Sequence, residues 1–173
     1  MPPGGHNASR RTAIAFTAVN ARGTAGYDPA LQRHHLLPRQ LLSERCFGRM
    51  FAALGRGRVG FDDFRCNGLL LPAREDASLR TGMPLHRGPH RRYNEVVIAR
   101  VGRIEARWAI VRVRDEEAAL AEALLRLQLL QGALRRQLMA ERRRIKLNRK
   151  DPVGTGFDFT ELDAMAEMLW GAE

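Results

Sequence analysis

Histidines are the residues of this sequence whose spacing most suggests chemistry. His34 and His35 are adjacent, and His86 and His90 flank a Gly-Pro pair. The ordinary pKa of an imidazole lies near neutrality, so at pH 7 it can bind a metal ion or accept a proton. A single histidine is more often a surface or packing residue, but two close pairs indicate a site.

The composition indicates a polyanionic partner. The 173 residues include 29 Lys and Arg against 19 Asp and Glu, a net charge of +10. Such a surface concentrates polyanions, and nucleic acid is the most common of them. The only lysines are Lys146 and Lys150, so the excess is nearly all arginine, whose planar guanidinium suits bidentate phosphate contacts.

Other familiar sites are missing from the sequence. It has no Gly-rich phosphate loop and no nucleophile elbow, and "GRGRVG" at residues 55–60 follows a predicted helix rather than a strand. Cys46 and Cys66 are too far apart for a short zinc knuckle, and we expect both to be reduced and buried.

No apolar run approaches the roughly 20 residues that span a bilayer, and no convincing signal peptide begins the chain. The sequence therefore predicts no membrane partner and favours the cytoplasm, with secretion by a leaderless route left open.

Two short strands and a helix surround the first histidine pair. "HHLLP" reads as a strand that Pro38 ends, and "NGLLLP" at 67–72 as a second strand. Between them, "RQLLSERCFGRMFAAL" at 39–54 predicts one helix, because apolar residues recur at helical spacing. These residues are Leu41, Leu42, Cys46, Met50 and Leu54.

Two long helices should follow. The first begins near Pro89 and runs to about Val113, with one apolar stripe. That stripe contains Tyr93, Val97, Ile104, Trp108 and Val111. Asp115 caps the second helix, which continues until Asp151-Pro152 stops it.

The second helix carries leucines at coiled-coil spacing, which are Leu120, Leu124, Leu127, Leu134 and Leu138. This stripe either packs on the first helix in an antiparallel hairpin or forms a homodimer through residues 115–147. Its basic end, "ERRRIKLNRK", is either a solvated face that complements the helix dipole or a phosphate contact.

The chain divides into four parts by composition. Residues 1–26 form a poorly ordered or loosely packed lead-in, and residues 27–114 hold the histidines and form the functional domain. The long basic helix occupies 115–150. Residues 151–173 form a tail, in which Thr160 begins a short helix with a small apolar face.

Three motifs in order resemble the AHH family of the HNH/endonuclease VII superfamily, His-Me finger nucleases often found as toxin domains. They are the doublet His34-His35, "GFDDFRCNGLLLP" and "HRGPHRRYN", and the resemblance covers about residues 33–105. Arg33 stands where the family has a small residue. The resemblance implies a small ββα finger that holds one divalent metal ion. Together with the two long helices, it predicts an α+β, mostly helical fold in which a helical hairpin braces the finger.

The resemblance also implies roles for individual residues. His34 and His90 would be metal ligands and His35 the general base, while Asn67 would steady His35 through a hydrogen bond. His86 either completes the metal site, which we favour, or contacts the scissile phosphate. The metal is Mg, Mn, Zn or Ni, because three imidazoles suit zinc or nickel whereas magnesium prefers oxygen ligands.

One feature of the doublet conflicts with this division of roles. Adjacent residues of a regular strand point to opposite faces, so His34 and His35 share a site only at a strand end, a bulge or a strong twist.

These observations predict a metal-dependent endonuclease that cuts DNA or RNA by a one-metal mechanism with a histidine general base. The candidate nucleic-acid contacts are Arg33, Arg39, Arg87, Arg91, Arg92 and, more weakly, Tyr93. The alternative is a noncatalytic nucleic-acid-binding or assembly protein that keeps a nuclease-like finger. A third hypothesis is a toxin with a cognate immunity protein.

Overall fold

The computed structural model describes residues 12–140, 146–147, 150–153 and 164. It contains two strands, β1 and β2, and six helices, α1 to α6, with short 3₁₀ turns at Phe16–Ala18, Arg39–Leu42 and Arg45–Phe47. In chain order the elements are β1 (Leu31–His35), α1 (Gly48–Leu54), α2 (Arg56–Val59), α3 (Phe64–Asn67), β2 (Gly68–Pro72), α4 (Glu75–Thr81), α5 (Arg91–Val111) and α6 (Glu116–Met139). The fold is α+β and mostly helical, as predicted.

The two strands pair in antiparallel fashion without a bulge. The register runs one-to-one from Leu31 opposite Pro72 to His35 opposite Gly68. The sequence analysis predicted β2 at residues 67–72, close to its observed range. It predicted β1 at "HHLLP", whereas β1 begins three residues earlier and ends at His35. The following Leu36 and Leu37 leave the strand and are fully buried in the core.

The prediction of a single helix over residues 39–54 is wrong for the first half of that range. Glu44 has an extended backbone, and two 3₁₀ turns precede α1. The Ser43 hydroxyl donates to the Gln40 carbonyl over 2.8 Å, the kind of local bond that competes with helix propagation. Cys46 consequently lies at the surface, and neither cysteine is buried as expected.

The predicted helical hairpin is confirmed. α5 buries the expected stripe from Tyr93 to Trp108, and a turn of four residues leads into α6. The Asp115 side chain accepts from the Ala118 backbone N–H over 2.9 Å, which confirms the predicted cap. α6 packs along α5, and its residues join those of the sheet and α1 in one hydrophobic core.

The far end of α6 differs from the prediction. The helix ends at Met139, because Ala140 has an extended backbone, rather than continuing to about residue 150. Leu127, Leu134 and Leu138 of the leucine stripe are buried inside the chain, so the surface predicted for a homodimer is largely used by the hairpin. The short helix predicted from Thr160 lies outside the described residues.

The structure also contains α4, which the sequence analysis did not predict. Glu75 and Asp76 occupy its first turn, where carboxylates favour a helix start, and this signal was overlooked. The Ser78 hydroxyl donates to the Met83 carbonyl over 2.7 Å, which ties the helix to the loop that carries His86. Within the described residues, no helix is both long and apolar enough to cross a membrane.

Candidate active site

Three histidines converge at one end of the sheet. His34 comes from β1, His86 from the loop after α4, and His90 from the position that precedes α5. One ring nitrogen from each lies within 4.8 Å of the others. Imidazoles at this spacing are close enough to bind one metal ion together.

Each of the three histidines is positioned by a different element. His34 lies on the buried face of β1 and packs edge-on against Tyr93, with ring centroids 5.0 Å apart. The His86 backbone N–H donates to the Pro72 carbonyl over 2.6 Å, which anchors its loop to the end of β2. The His90 carbonyl accepts from the Asn94 N–H over 2.9 Å as part of the first turn of α5.

Two ring nitrogens of this cluster are buried without a hydrogen-bond partner among the described residues. They are Nε2 of His34 and Nδ1 of His90. Leaving a buried polar atom unpaired costs about 1–3 kcal/mol, so two in one cluster require an explanation. A metal ion at the centre of the cluster would satisfy both.

Gln32 orients the ring of His86. Its Oε1 lies 3.2 Å from Nδ1 of His86, and a proton on Nδ1 would be donated to that oxygen. The other ring nitrogen, Nε2, is then left with its lone pair to bind a metal. Gln32 is two residues before His34 on β1, so both side chains lie on the same face of the strand.

The environment keeps the three imidazoles neutral. Burial lowers the pKa of His34 well below its ordinary 6.5, and His86, His90 and His35 add to the effect. Burial likewise lowers the pKa of His86 to about 4, helped by His90 and His35. Burial also lowers the pKa of His90, although a backbone hydrogen bond with Leu147 opposes it. Neutral imidazole is the form that binds metal.

His35 lies on the opposite face of β1 from His34, at the last position of the strand. Its ring stacks on Phe16, with centroids 3.9 Å apart and planes 4° apart. It is half-buried, and burial followed by Arg39 lowers the pKa of His35, Asp62 raises it and Arg33 lowers it. His35 is therefore neutral at pH 7 and affects the titration of His34 and His86 without joining their cluster.

A protein-family model matches about two thirds of the chain. The sequence model of AHH, described as a nuclease family of the HNH/ENDO VII superfamily with conserved AHH, matches residues 16–132. The chain belongs to the AHH nuclease family. Comparisons with curated proteins and with solved structures gave no match. The AHH match includes α5 and most of α6, and so extends beyond the motifs that first suggested it.

Asn67 does not have the hydrogen bond that the resemblance to AHH nucleases implied. Its Oδ1 accepts from the Leu37 N–H at 2.7 Å, and its Nδ2 donates to the carbonyls of Leu37 at 3.1 Å and Phe61 at 3.2 Å. Gln131 of α6 also donates to Oδ1, at 3.4 Å. The expected bond to His35 is wrong because the Asn67 amide is turned into the core, where it holds the chain that leaves β1.

The predicted nucleic-acid contacts of this AHH chain divide into two groups. The arginines are all exposed, which suits phosphate contacts; these are Arg33, Arg39, Arg87, Arg91 and Arg92. Tyr93 is 1% exposed, and its hydroxyl donates to the Leu36 carbonyl over 2.8 Å. The prediction of a substrate contact by Tyr93 is wrong, because its ring packs inside the core behind His34.

Phe16 and Gln32 are site residues that the sequence analysis missed. Gln32 could have been predicted, because residues two positions apart on a strand share a face and Gln32 lies two positions before His34. No local pattern pointed to Phe16, which lies in the part of the chain expected to be loosely packed. None of the described residues 12–26 is buried, but Ile14 bonds to Asp63 through its N–H and to Phe64 through its carbonyl. Asp63 also caps α3 by accepting from the Arg65 N–H.

Proposed function

We propose that this AHH nuclease is an endonuclease that hydrolyses phosphodiester bonds of nucleic acid with one divalent metal ion. The observation that carries the proposal is the convergence of His34, His86 and His90, with nitrogens within 4.8 Å and two of them buried without a partner. A structural histidine cluster would be expected to pair its buried nitrogens with protein acceptors or donors.

The donor set bears on which metal fits. Three neutral imidazoles suit zinc, nickel or other transition ions, whereas magnesium prefers oxygen ligands. His34, His86 and His90 would hold the ion, with Gln32 fixing the ring of His86. A bound cation would neutralise charge on the phosphate and on the departing oxygen.

His35 is the residue that we assign as general base. Burial and Arg39 lower the pKa of His35, so its imidazole is neutral at pH 7 and can take a proton from the attacking water. The stack on Phe16 fixes the orientation of the His35 ring. Asn67 holds the backbone at Leu37, two residues beyond the end of β1. The exposed arginines, among them Arg39 and Arg91, would contact backbone phosphates without reading bases.

A cation panel tests the enzymatic function. The purified protein, stripped of metal with EDTA, should leave plasmid DNA and RNA intact. Cleavage should appear on addition of one or more of magnesium, manganese, nickel or zinc. Salt-sensitive binding without cleavage in any of the four would support the noncatalytic alternative.

Paired variants separate the two histidine roles. His90→Ala should lose both metal binding and cleavage. His35→Ala should bind metal with unchanged stoichiometry in a calorimetric titration and yet lose cleavage, because only the proton acceptor is removed. Retained turnover in His35→Ala would contradict the base assignment.

A toxin role is a narrower hypothesis that rests on the family resemblance. Expressing the chain in bacteria with and without its neighbouring gene products would test it. Growth arrest that a neighbouring product relieves would support a toxin with an immunity protein, and unaffected growth with active nuclease would contradict it.

A further inference from the structure

A cavity adjoins the histidine cluster along β1. Its volume is about 570 Å³, and its walls are formed by the turns around Asn20 and Tyr27 together with Leu31, Gln32 and Arg33 of β1. This volume lies within the usual range for small-molecule and cofactor sites. Gln32 contributes to both places, because it lines the cavity and contacts His86.

The walls of this cavity are held in place by Asn20. Its Nδ2 donates to the carbonyls of Asp28 at 2.8 Å and Leu31 at 3.0 Å, and its Oδ1 accepts from the Asp28 N–H at 2.7 Å. Asn20 has a φ of +48°, which an asparagine tolerates better than most residues. Three bonds from one side chain make the cavity preorganised rather than a gap between loose loops.

The chemistry of the walls favours an anion with an aromatic ring. Arg22 and Arg33 line the cavity, and no carboxylate does among the residues that the structure describes. The nearby Asp28 carboxylate faces Arg80 at 3.8 Å and accepts from the Ala30 N–H. Tyr27, half-buried, supplies an aromatic face. Guanidinium groups bind phosphates, and aromatic side chains stack on bases of unpaired strands.

We propose that this cavity binds an unpaired nucleotide next to the scissile phosphate, with Arg22 and Arg33 on its phosphates and Tyr27 on its base. The proposal rests on the proposed nuclease function and adds a substrate class, single-stranded or locally unpaired nucleic acid. The position supports it, because Arg33 immediately precedes His34 and His35. A strand bound in the cavity would therefore continue along β1 towards the histidine cluster and His35.

Binding measured in EDTA tests this subsite independently of cleavage. The probes are a short fluorescein-labelled single-stranded DNA, an RNA of the same sequence and the corresponding duplex DNA, followed by fluorescence anisotropy. Tyr27→Leu should weaken binding of the single strands at least about fivefold, whereas Tyr27→Phe, which keeps the ring, should bind like the wild type. Binding of the duplex should not change.

Arginine variants test the phosphate contact. Arg22→Ala should reduce the slope of log affinity against log salt by about 0.7 on single strands. The matched control is Arg114→Ala, because Arg114 follows the end of α5 about 30 Å along the helix from His90. Equal slopes in the two variants, or equal binding by Tyr27→Leu and Tyr27→Phe, would overturn the proposal, even if the protein cuts plasmid.

Cross-linking provides a readout that needs no variant. Ultraviolet irradiation of the wild-type protein with a bromouracil-substituted single strand should attach the strand to a peptide that contains Tyr27. Attachment only to peptides outside residues 17–33 would overturn the proposal.

Discussion

The ring of His35 lies flat on the ring of Phe16, with centroids 3.9 Å apart and planes 4° apart. The ring of Phe64 packs edge-on against Phe16, with ring centroids 5.1 Å apart. The histidine assigned as general base is thus held by Phe16, which packs in turn on Phe64 from a distant part of the chain. This contact exists only in the folded protein.

Phe16→Ala should lower kcat about tenfold while leaving KM nearly unchanged, because the base loses its orientation and the substrate contacts stay. Steady-state cleavage of a labelled oligonucleotide measures both constants. Phe16→Tyr keeps a stacking ring and should restore most of the rate. A rise in KM with unchanged kcat would show instead that Phe16 contacts substrate.

Gln32→Leu should weaken metal affinity about tenfold or more, because His86 loses the partner that fixes its tautomer. Calorimetric titration with zinc or nickel, in the absence of nucleic acid, measures the change. Gln40→Leu is the matched control, since Gln40 is exposed and bonds to Glu44 over 3.1 Å. Equal affinities in the two variants would contradict the role of Gln32.

The metal-free protein should lose stability as the pH falls from 6.5 towards 4. The pKa of His86 is lowered from 6.5 to about 4 in the folded state, so the unfolded chain binds more protons in this window and protonation favours unfolding. Denaturant unfolding at several pH values measures the slope. His86→Gln removes one titrating group and should reduce the slope, while His34 and His90, whose pKa values are also lowered, contribute the rest. An unchanged slope would contradict the burial of a neutral His86.

Gly68→Ala should destabilise the protein by about 1–3 kcal/mol, because the new Cβ would overlap the Phe64 ring. An ideal Cβ at Gly68 lies 2.2 Å from Cδ2 of Phe64. The control, Gly102→Ala, places a Cβ in open space on α5 and should stabilise the helix by about 0.5–1 kcal/mol. Thermal melting of both variants should therefore shift in opposite directions.

Asn67→Ala should destabilise the protein by at least about 2 kcal/mol, because the Leu37 N–H and the Phe61 carbonyl lose their buried partner. Asn94→Ala removes an exposed amide that bonds to Gln40 at 3.4 Å and should have little effect. Denaturant unfolding compares the two. Similar losses would show that the Asn67 network does not hold the chain beyond β1.

Much of the fold could be predicted from the sequence where one local pattern repeats. The stripe from Tyr93 to Trp108 predicted α5, and Asp115 marked the start of α6. The helix predictions failed where local rules compete. Ser43 and Glu44 interrupt a helical pattern between Arg39 and Leu54, and Ala140 ends α6 before its charged run.

The candidate site divides in the same way. Histidine spacing pointed to His34, His86 and His90, and in the structure one ring nitrogen from each lies within 4.8 Å of the others. The positions of Tyr93 and Asn67 in their motifs suggested functional contacts, but both side chains are buried in the core and satisfied there. A motif specifies a residue type at a position, and it leaves open the direction in which the side chain points.

By itself, the sequence determined which residue types are available for chemistry, the positive charge that attracts a polyanion, and the local periods of the strands and long helices. Only the tertiary structure decided that His35 faces away from the histidine cluster, that Phe16 covers His35 and that Gln32 reaches His86. The physical reason is that these contacts join residues 19 or more positions apart. Periodicity selects the face of an element, whereas packing of the whole chain selects the partner that meets it.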